Sequence, residues 1–309
     1  MSDFVKQAAT PCAFTSSDSW VILSPIEQSI KRKIENVGTP LKDWEITINY
    51  GIKTGYNEAF IIDEAKRNEI LANCHDEAER ERTDALIRPI LRGRDIKRYA
   101  YEWAHLYIIA TFPAKHLDIE DYPAVKHHLL SFGIERLEQT GKEHLINGER
   151  IKSRKKSGNK WFETQDTIAY MDDFAKPKIV YPDIMRMPQD KTLLTQFPKF
   201  HLDTEGFYPE ATVFFIVGER VETLCRFFAS DIGFYAFTRF YAGPQFDDTG
   251  FRYKKEYFTK LPIPQTCALD NLANENAFDD ALCKVLSLSQ EELSFIRGYK
   301  AKLLRDNEN

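Results

Sequence analysis

The stretch Gly51-Ile-Lys-Thr-Gly-Tyr-Asn-Glu-Ala-Phe60 decides how the rest of the chain is interpreted, because it looks like a nucleotide-binding loop. A Walker A loop requires a glycine, four spacers and then Gly-Lys-Ser/Thr, so that consecutive backbone N–H groups wrap a phosphate. Here Ile52 separates Gly51 from Lys53, and no glycine stands in the preceding window Glu45–Tyr50. The sequence therefore predicts no ATP site.

We interpret Gly51–Asn57 as a tight turn, called the glycine turn below. It follows the strand-like run Trp44–Tyr50 and continues into an apolar segment that begins at Ala59. Lys53, Thr54 and Asn57 would present one positive charge and small polar groups to an anionic ligand, which is the chemistry of phosphate contacts. Asn57 is also suited to hydrogen bonding with a base edge.

Composition is that of a globular protein. The chain has 309 residues, of which 43% are hydrophobic and 29% charged, enough for one large domain or a domain with an appendage. No apolar run approaches the roughly 20 residues that span a bilayer, and no basic segment followed by an apolar stretch marks a secretory signal. We therefore expect no membrane partner.

Cysteine usage favours a cytoplasmic protein with reduced thiols. The five cysteines are scattered, odd in number and without a C-x-x-C pair, which predicts neither a disulfide framework nor a zinc site. They are Cys12, Cys74, Cys225, Cys267 and Cys283.

The net charge of −5 opposes a generic polyanion binder, yet basic residues are concentrated locally. A turn at Arg92–Arg98, called the arginine turn, and a stretch at Arg150–Lys160, called the basic arm, are strongly cationic. We predict the arm, which ends in Ser157-Gly-Asn-Lys160, to be a flexible loop or hairpin with a basic tip. With Lys53, Thr54 and Asn57, the candidate DNA-binding residues are Arg92, Arg94, Lys97, Arg98, Arg150, Lys152, Arg154, Lys155, Lys156 and Lys160. A basic loop taken alone is more often merely solvated, but three separate basic or polar loops in one acidic chain favour binding.

Local patterns predict short strands interspersed with helices and no regular βαβ alternation. The fold class expected is α+β, with mixed or antiparallel sheets, packed helices and a short C-terminal helical segment. The division expected is an N-terminal helix and linker at 1–43, a main domain at 44–265 and a helical appendage at 266–309. The segments predicted are helices at Ser24–Asn36, Pro123–Leu137 and Val221–Ile232, strands at Leu106–Thr111, Lys178–Tyr181 and Thr212–Val217, and a charged, helix-compatible and solvated connection at Asp63–Asp84.

Catalytic motifs are absent. The chain has no Gly-x-Ser-x-Gly elbow, no His-Glu-x-x-His pair and no Gly-x-Gly-x-x-Gly fingerprint. His127 and His128 are adjacent, so on a helix they point about 100° apart and do not share a metal ion easily. Asp43 with Glu64-Ala-Lys66 supplies the residue types of a Mg²⁺-dependent nuclease, although charged helices produce such triplets by chance. We expect this chain to be non-catalytic alone, with no catalytic, metal or cofactor-binding residues.

The order of motifs carries a resemblance. After the glycine turn come Ile87-Arg-Pro-Ile-Leu-Arg-Gly-Arg-Asp-Ile96, Trp161-Phe-Glu, Lys176-Pro-Lys-Ile-Val-Tyr-Pro182 and Leu261-Pro-Ile-Pro264. This series resembles the TaqI-like C-terminal specificity domain over roughly Trp44–Pro264. That domain is the target-recognition module of type IIG restriction–modification enzymes and related adenine-specific DNA methyltransferases, including phage-exclusion methylases.

The resemblance implies a target-recognition-domain-like fold that binds double-stranded DNA beside a methyltransferase domain or subunit. It implies S-adenosylmethionine, and possibly Mg²⁺, for the parent enzyme rather than for this chain. The glycine turn, the arginine turn and the region from Arg150 to Trp161 would line or support the DNA face. We then expect a fragment of a larger enzyme or a separately encoded specificity subunit.

Two alternatives stay open at this stage. The acidic helices beyond residue 266 are suited to docking a partner methylase, which would make the chain a protein-interaction module with little DNA affinity of its own. The second alternative is a stand-alone Mg²⁺-dependent nuclease.

Overall fold

The computed structural model describes residues 23–243 and 250–306. They form two compact units, which we call the terminal unit and the central unit. The terminal unit consists of the described parts of Met1–Ile46, Ile184–Lys199 and Gly218–Asn309, and the central unit of Thr47–Asp183 and Phe200–Val217. The predicted division at residues 43 and 265 remains a prediction, and the part of it that covers residues 1–22, including Cys12, lies outside the described residues.

Helices occur in both units. They are α1 (Pro25–Val37), α2 (Asn57–Phe60), α3 (Glu64–Ala72), α4 (Glu77–Leu86), α5 (Pro123–Leu130), α6 (Ile134–Leu137), α7 (Val221–Ala229), α8 (Asp231–Ala236), α9 (Lys255–Phe258), α10 (Glu275–Val285) and α11 (Gln290–Asp306).

Strands are short. They are β1 (Gly38–Pro40), β2 (Ile46–Tyr50), β3 (Ile61–Asp63), β4 (Ile87–Leu91), β5 (Leu106–Ile109), β6 (Glu143–Ile146), β7 (Glu149–Lys152), β8 (Lys178–Pro182), β9 (Ile184–Arg186), β10 (His201–Asp203), β11 (Tyr208–Pro209), β12 (Val213–Gly218), β13 (Gly250–Arg252) and β14 (Pro262–Pro264).

The central unit is built on two four-stranded sheets and one hairpin. The first sheet has the order β10-β8-β12-β2 and the second the order β11-β4-β5-β3, while β6 pairs with β7. The β11–β4 pair is parallel, whereas β8 is antiparallel to both of its neighbours. With helices packed around these sheets and helices α10 and α11 at the C-terminal end, the predicted α+β class is confirmed.

Aromatic side chains fill the core of the central unit. The Phe174 ring lies 4.6 Å from that of Tyr208 and 5.5 Å from that of Phe215. Phe162 and Tyr181 are buried as well. Such rings bury large areas and form edge-to-face contacts, so they hold the sheets that carry the surface loops.

Residues in the terminal unit confirm the first predicted helix. Ser24 precedes α1, and its backbone N–H donates to the Glu27 carboxylate at 2.7 Å, as expected of a capping box. Glu27 also accepts from Arg239 at 2.6 Å, which links α1 to the segment after α8. Strand β1 then pairs with β14, so the Pro-rich segment ending at Pro264 forms an edge pair as its sequence requires.

Two predicted helices are interrupted, and in both the break has a local cause. The predicted helix at Val221–Ile232 ends at Ala229, because Ser230 adopts an extended conformation and its hydroxyl accepts from Gly233 N at 3.0 Å to start α8. The predicted helix at Pro123–Leu137 is divided at Gly133, whose φ of +85° leaves the helical region.

The segment Asp63–Asp84, predicted as a helix-compatible and solvated connection, forms α3 and most of α4, and most of its residues are exposed. It also has a structural role that was not predicted, because Glu79 within it is only 2% exposed. The Glu79 carboxylate accepts from His75 N at 2.7 Å and from Ala124 N at 2.9 Å, and so caps the start of α5. The density of charge concealed this role.

His128 in helix α5 contacts α2, the helix that follows the glycine turn. The Nε2 atom of His128 lies 3.0 Å from the carbonyl oxygen of Ala59. Burial lowers the pKa of His128 from its ordinary value of 6.5. We expect the central unit to lose stability as the pH falls below about 6.5, because the unfolded chain then binds a proton that the folded one resists. The slope should stay well under the ~1.4 kcal/mol per pH unit of a full proton, since solvent reaches part of the ring.

Urea unfolding of His128→Gln at several pH values measures this contribution. A glutamine keeps an N–H donor for Ala59 but does not titrate, so its stability should fall less steeply below pH ~6.5 than that of the wild type. The matched control is His127→Gln, because His127 is exposed on the same helix. Equal slopes for all three chains would contradict the prediction.

Candidate functional site

The glycine turn is anchored by backbone contacts to the segment before β12. Gly51 N donates to Val213 O at 2.7 Å, and Ile52 N donates to Pro209 O at 2.8 Å. A Cβ atom on Gly51 would lie 2.1 Å from the carbonyl oxygen of Glu210, closer than real contacts allow. Only glycine permits this approach, so Gly51 serves the architecture of the turn rather than a nucleotide.

Within the turn, Thr54 organises its neighbours. It is 1% exposed, donates from Oγ1 to Asn57 Oδ1 at 2.6 Å and accepts from Tyr56 N at 3.1 Å. Gly55 between them has a φ of +79°, which favours glycine. The hydroxyl of Thr54 is therefore buried and used within the turn, which opposes the prediction that Thr54 contacts DNA. Asn57 is exposed at the surface with its carboxamide oriented by Thr54.

The side chain of Arg154 is engaged inside the protein. It is 4% exposed and donates to four backbone carbonyl oxygens at 2.6–2.8 Å. These acceptors belong to Thr54, Leu137, Trp161 and Glu163. Burial lowers the pKa of Arg154 to about 10. This placement opposes the predicted DNA contact, because every guanidinium nitrogen already has a protein partner; the residue ties the glycine turn to the basic arm.

The basic arm begins in a hairpin, which is one of the two forms predicted. Its first residues belong to strand β7 of the hairpin Glu143–Lys152, whose tip is the Asn147-Gly148 pair and lies before the arm. The end of the arm is a loop held by hydrogen bonds: Ser157 donates to Gln139 Oε1 at 2.7 Å, and Asn159 Nδ2 donates to Gln165 O at 3.0 Å. Lys156 and Lys160 at this loop are exposed.

The glycine turn and the arm meet at a cavity of about 290 Å³, called the cationic concavity below. Its lining contains four basic residues that are not fully buried and no acidic residue. The lining consists of Gly55, Tyr56, Arg136, Arg150, Ile151, Lys152, Ser153, Arg154 and Lys155. An unbalanced group of cations on a concave surface attracts anions.

Arg136 and Tyr56 are components of this site that the sequence did not single out. Arg136 Nη1 donates to the Tyr56 hydroxyl at 3.2 Å, and its guanidinium carbon lies 5.6 Å from the centre of the Tyr56 ring. The residue stands in the short helix α6 beside the hairpin, where no basic run marks it. Only its spatial proximity to the arm identifies it.

Lys53 lies on the glycine turn beside aromatic side chains. It is exposed, and its Nζ lies 5.2 Å from the centre of the Tyr50 ring. The Tyr170 hydroxyl donates to Tyr50 O at 2.9 Å, and Asp166 lies close enough for Lys53 to oppose the rise that burial causes in the Asp166 pKa. The lysine side chain thus lies against the Tyr50 ring, with its charge at the surface.

The arginine turn and the strand before it contact the same segment, Pro209–Val213, as the glycine turn does. Glu210 N donates to Leu91 O at 2.8 Å, and Gly93 N donates to Thr212 Oγ1 at 3.0 Å. Its side chains are outside the lining of the cationic concavity.

Part of the charge of the arginine turn is already neutralised. Arg92 forms a two-point ion pair with Asp95 at 2.7 and 3.0 Å, which raises the pKa of Arg92. Lys97 pairs with Glu102 at 3.0 Å, whereas Arg94 is exposed and Arg98 lies 4.9 Å from the Tyr99 ring. Arg92 is therefore chiefly structural, and Arg94 is the most accessible cation of the turn.

Within residues 23–243 and 250–306, no group of three or more His, Cys, Asp or Glu side chains is arranged to hold a metal ion. None of the helices in these ranges is long and apolar enough to cross a membrane. The thiols of Cys74, Cys225, Cys267 and Cys283 are free, as predicted for these four.

Solved structures that share this fold include two restriction–modification enzymes. One is the type IIG restriction endonuclease BpuSI, with a TM-score of 0.52 and 12% identity, matched over 91% of this chain and 32% of its own. The other is the type IIL restriction–modification enzyme MmeI in complex with DNA, with a TM-score of 0.50 and 10% identity, matched over 86% of this chain and 36% of its own. No protein-family model matches the sequence, and no curated protein is similar to it.

The fold of this chain is thus one found within type IIG and type IIL restriction–modification enzymes. The chain spans about a third of the length of each of these two proteins. The narrower prediction, a TaqI-like specificity domain, stays a prediction.

Proposed function

We propose that this chain is a sequence-specific double-stranded DNA recognition module of a restriction–modification system. The single observation that carries the proposal is the cationic concavity, in which the glycine turn and the basic arm meet without an acidic residue in the lining. The fold supports the same direction, since MmeI, one of the proteins that share it, was solved in complex with DNA.

The electrostatic argument is local. Although the chain carries a net charge of −5, phosphate contacts depend on the cations within about one Debye length, roughly 8–10 Å at physiological salt. Arg136, Arg150, Lys152 and Lys155 lie together at the concavity, and Lys53 projects from the glycine turn. Neutralised phosphates would release counterions, which supplies sequence-independent affinity.

Base reading requires side chains that are accessible and oriented. Asn57 meets both conditions, because Thr54 holds its carboxamide oxygen and the residue remains exposed. An asparagine presented in this way can bond an adenine edge in the major groove. In this scheme the buried Thr54 and Arg154 position the surface and the exposed residues contact DNA.

The wider proposal concerns the enzyme to which such a module belongs. We propose that an adjacent domain or separate subunit methylates adenine N6 with S-adenosylmethionine, and that any Mg²⁺-dependent cleavage also resides there. This chain would choose and position the duplex. Testing for methylation and cleavage by the chain alone and with a candidate methylase partner separates this arrangement from the interaction-module and nuclease alternatives.

Lys53→Ala tests the phosphate role. We expect weaker binding to every duplex sequence and a slope of log K against log salt that is shallower by about one unit, because one fewer counterion is released. Fluorescence anisotropy with labelled duplexes at several salt concentrations measures both quantities. Lys42→Ala is the control, because Lys42 is an exposed lysine of the terminal unit, outside the candidate surface.

Wild-type affinity and wild-type salt dependence in Lys53→Ala would exclude this residue from the interface. Triple replacement of Arg150, Lys152 and Lys155 by alanine tests the concavity as a whole. If that variant folds and still binds duplex DNA like the wild type, the concavity is not the DNA site and the proposed function loses its main support.

A further inference from the structure

The hairpin Glu143–Lys152 is a two-stranded ribbon. Strands β6 and β7 pair in antiparallel register, and the turn residues Asn147 and Gly148 have φ values of 50° and 86°. Positive φ at both central residues defines the hairpin turn that matches strand twist, and Asn-Gly is its preferred sequence. The ribbon is therefore specified locally and keeps its register.

One face of the ribbon is presented to solvent. Directly opposed residues of an antiparallel pair share a face, so the pairs Leu145–Arg150 and Glu143–Lys152 point the same way. All four residues are exposed, whereas His144, which lies on the opposite face, is partly buried. The solvent face thus combines a leucine with two cations and one carboxylate.

Leu145 is the unusual member of this face. Its side chain is 74% exposed, the highest fraction among the large hydrophobic residues that the structure describes. A single exposed leucine is ordinary, but here it lies directly across from Arg150, which lines the cationic concavity. The apolar group therefore lies beside the candidate DNA surface and is unused by the protein core.

The dimensions of a ribbon suit duplex DNA. The major groove, about 12 Å wide, admits a two-stranded β-ribbon, and each base pair shows a distinct pattern there. Arginine bonds the O6 and N7 atoms of guanine, and an apolar side chain packs on the C5-methyl group of thymine. Opposed Cβ atoms lie about 4.5–5.5 Å apart, so the two side chains reach bases one or two steps apart at roughly 3.4 Å per step.

We propose that the hairpin reads bases in the major groove, with Leu145 contacting a thymine methyl group and Arg150 bonding a guanine one or two base pairs away. Lys152, opposite Glu143, lies further from the tip and contacts the phosphate backbone. This inference rests on the proposed function and adds which residues determine specificity. It predicts that replacing Leu145 or Arg150 changes the sequence preference of the chain, whereas replacing Lys53 does not.

The experiment begins by selecting bound duplexes from a randomised library with the full chain, which yields the preferred sequence. Each thymine in that sequence is then replaced singly by deoxyuridine, which lacks only the methyl group. We expect one position at which wild-type affinity falls by about fourfold, the value of one buried carbon. Leu145→Ala should bind thymine and deoxyuridine equally at that position.

Two further variants complete the test. Leu130→Ala is the matched control, because Leu130 is an exposed leucine of the same unit and should keep the fourfold preference. Arg150→Ala should lose its preference for a guanine within two base pairs of that thymine, and replacing this guanine by 7-deazaguanine should weaken wild-type binding but not Arg150→Ala.

Each outcome of these measurements either supports or overturns the proposal. The proposal is overturned if the wild type binds a preferred sequence yet ignores each deoxyuridine replacement, or if Leu145→Ala discriminates like the wild type. Failure of the wild type to bind any duplex overturns the proposed function together with this inference, and is recognised by the absence of binding at every salt concentration. Circular dichroism of Leu145→Ala verifies that the exposed replacement leaves the fold intact.

Discussion

The Arg154→Ala variant is expected to unfold with a free energy about 3–5 kcal/mol below that of the wild type. The reason is that Arg154 satisfies four buried carbonyl oxygens, those of Thr54, Leu137, Trp161 and Glu163. Removing the guanidinium leaves these acceptors unpaired in a site from which water is excluded. Chemical denaturation of the central unit, followed by its aromatic fluorescence, measures the loss.

Two substitutions control this prediction. Arg154→Lys keeps the charge but cannot reach four acceptors in one plane, so it should recover only part of the stability. Arg150→Ala removes an exposed arginine four residues away and should change stability by no more than about 0.5 kcal/mol. Equal stabilities of Arg154→Ala and Arg150→Ala would show that the carbonyl contacts of Arg154 contribute nothing.

The functional consequence of Arg154 is indirect. Arg154 joins the glycine turn to the base of the hairpin. Its loss should therefore displace neighbouring surface residues and so weaken DNA binding as well. Partial rescue of both stability and binding by Arg154→Lys would fit a positioning role. A variant that keeps wild-type stability but loses DNA binding would instead make Arg154 a direct contact.

The second large effect is expected at the buried ion pair of the first sheet. Lys178 and Asp203 are opposite each other on β8 and β10, with Nζ and Oδ2 2.5 Å apart and both side chains fully buried. Lys178→Met should cost about 3–5 kcal/mol, because an uncompensated carboxylate is left in the interior. Thermal or urea unfolding provides the measurement.

A double-mutant cycle separates the charge from the packing. Asp203 Oδ1 also accepts from the backbone of Glu205 at 2.8 Å and of Gly206 at 3.1 Å, so asparagine at position 203 keeps that acceptor while removing the charge. Lys178→Met combined with Asp203→Asn should be more stable than Lys178→Met alone. Additive losses in the two single variants would mean that the pair is not coupled.

Elements specified by neighbouring residues were predicted well. Helix α1 follows from Ser24, Pro25 and Glu27, which lie within four positions of one another and satisfy the first turn by themselves. The buried strands β8 and β12 follow from β-branched and aromatic runs. In both cases the decisive interactions are local or depend only on side-chain pattern.

Elements specified by distant residues were not predictable. The periodicity of an amphipathic helix continues across Ser230, so the pattern did not reveal that its hydroxyl begins a new helix. Arg154 stands in a run with Lys155 and Lys156, and sequence alone could not separate a buried guanidinium from its exposed neighbours. Its acceptors come from segments up to 100 positions away.

By itself, the sequence determined the α+β class, the glycine turn as a failed nucleotide loop, and the concentration of cations in the arginine turn and the basic arm, because these depend on composition and short-range spacing. Only the tertiary structure decided that Arg154 and Thr54 are internal, that Arg136 joins the concavity, and that Leu145 faces solvent beside Arg150. The physical reason is that burial and the meeting of side chains depend on contacts between segments far apart in the chain, whereas charge and turn propensity reside in the residues themselves.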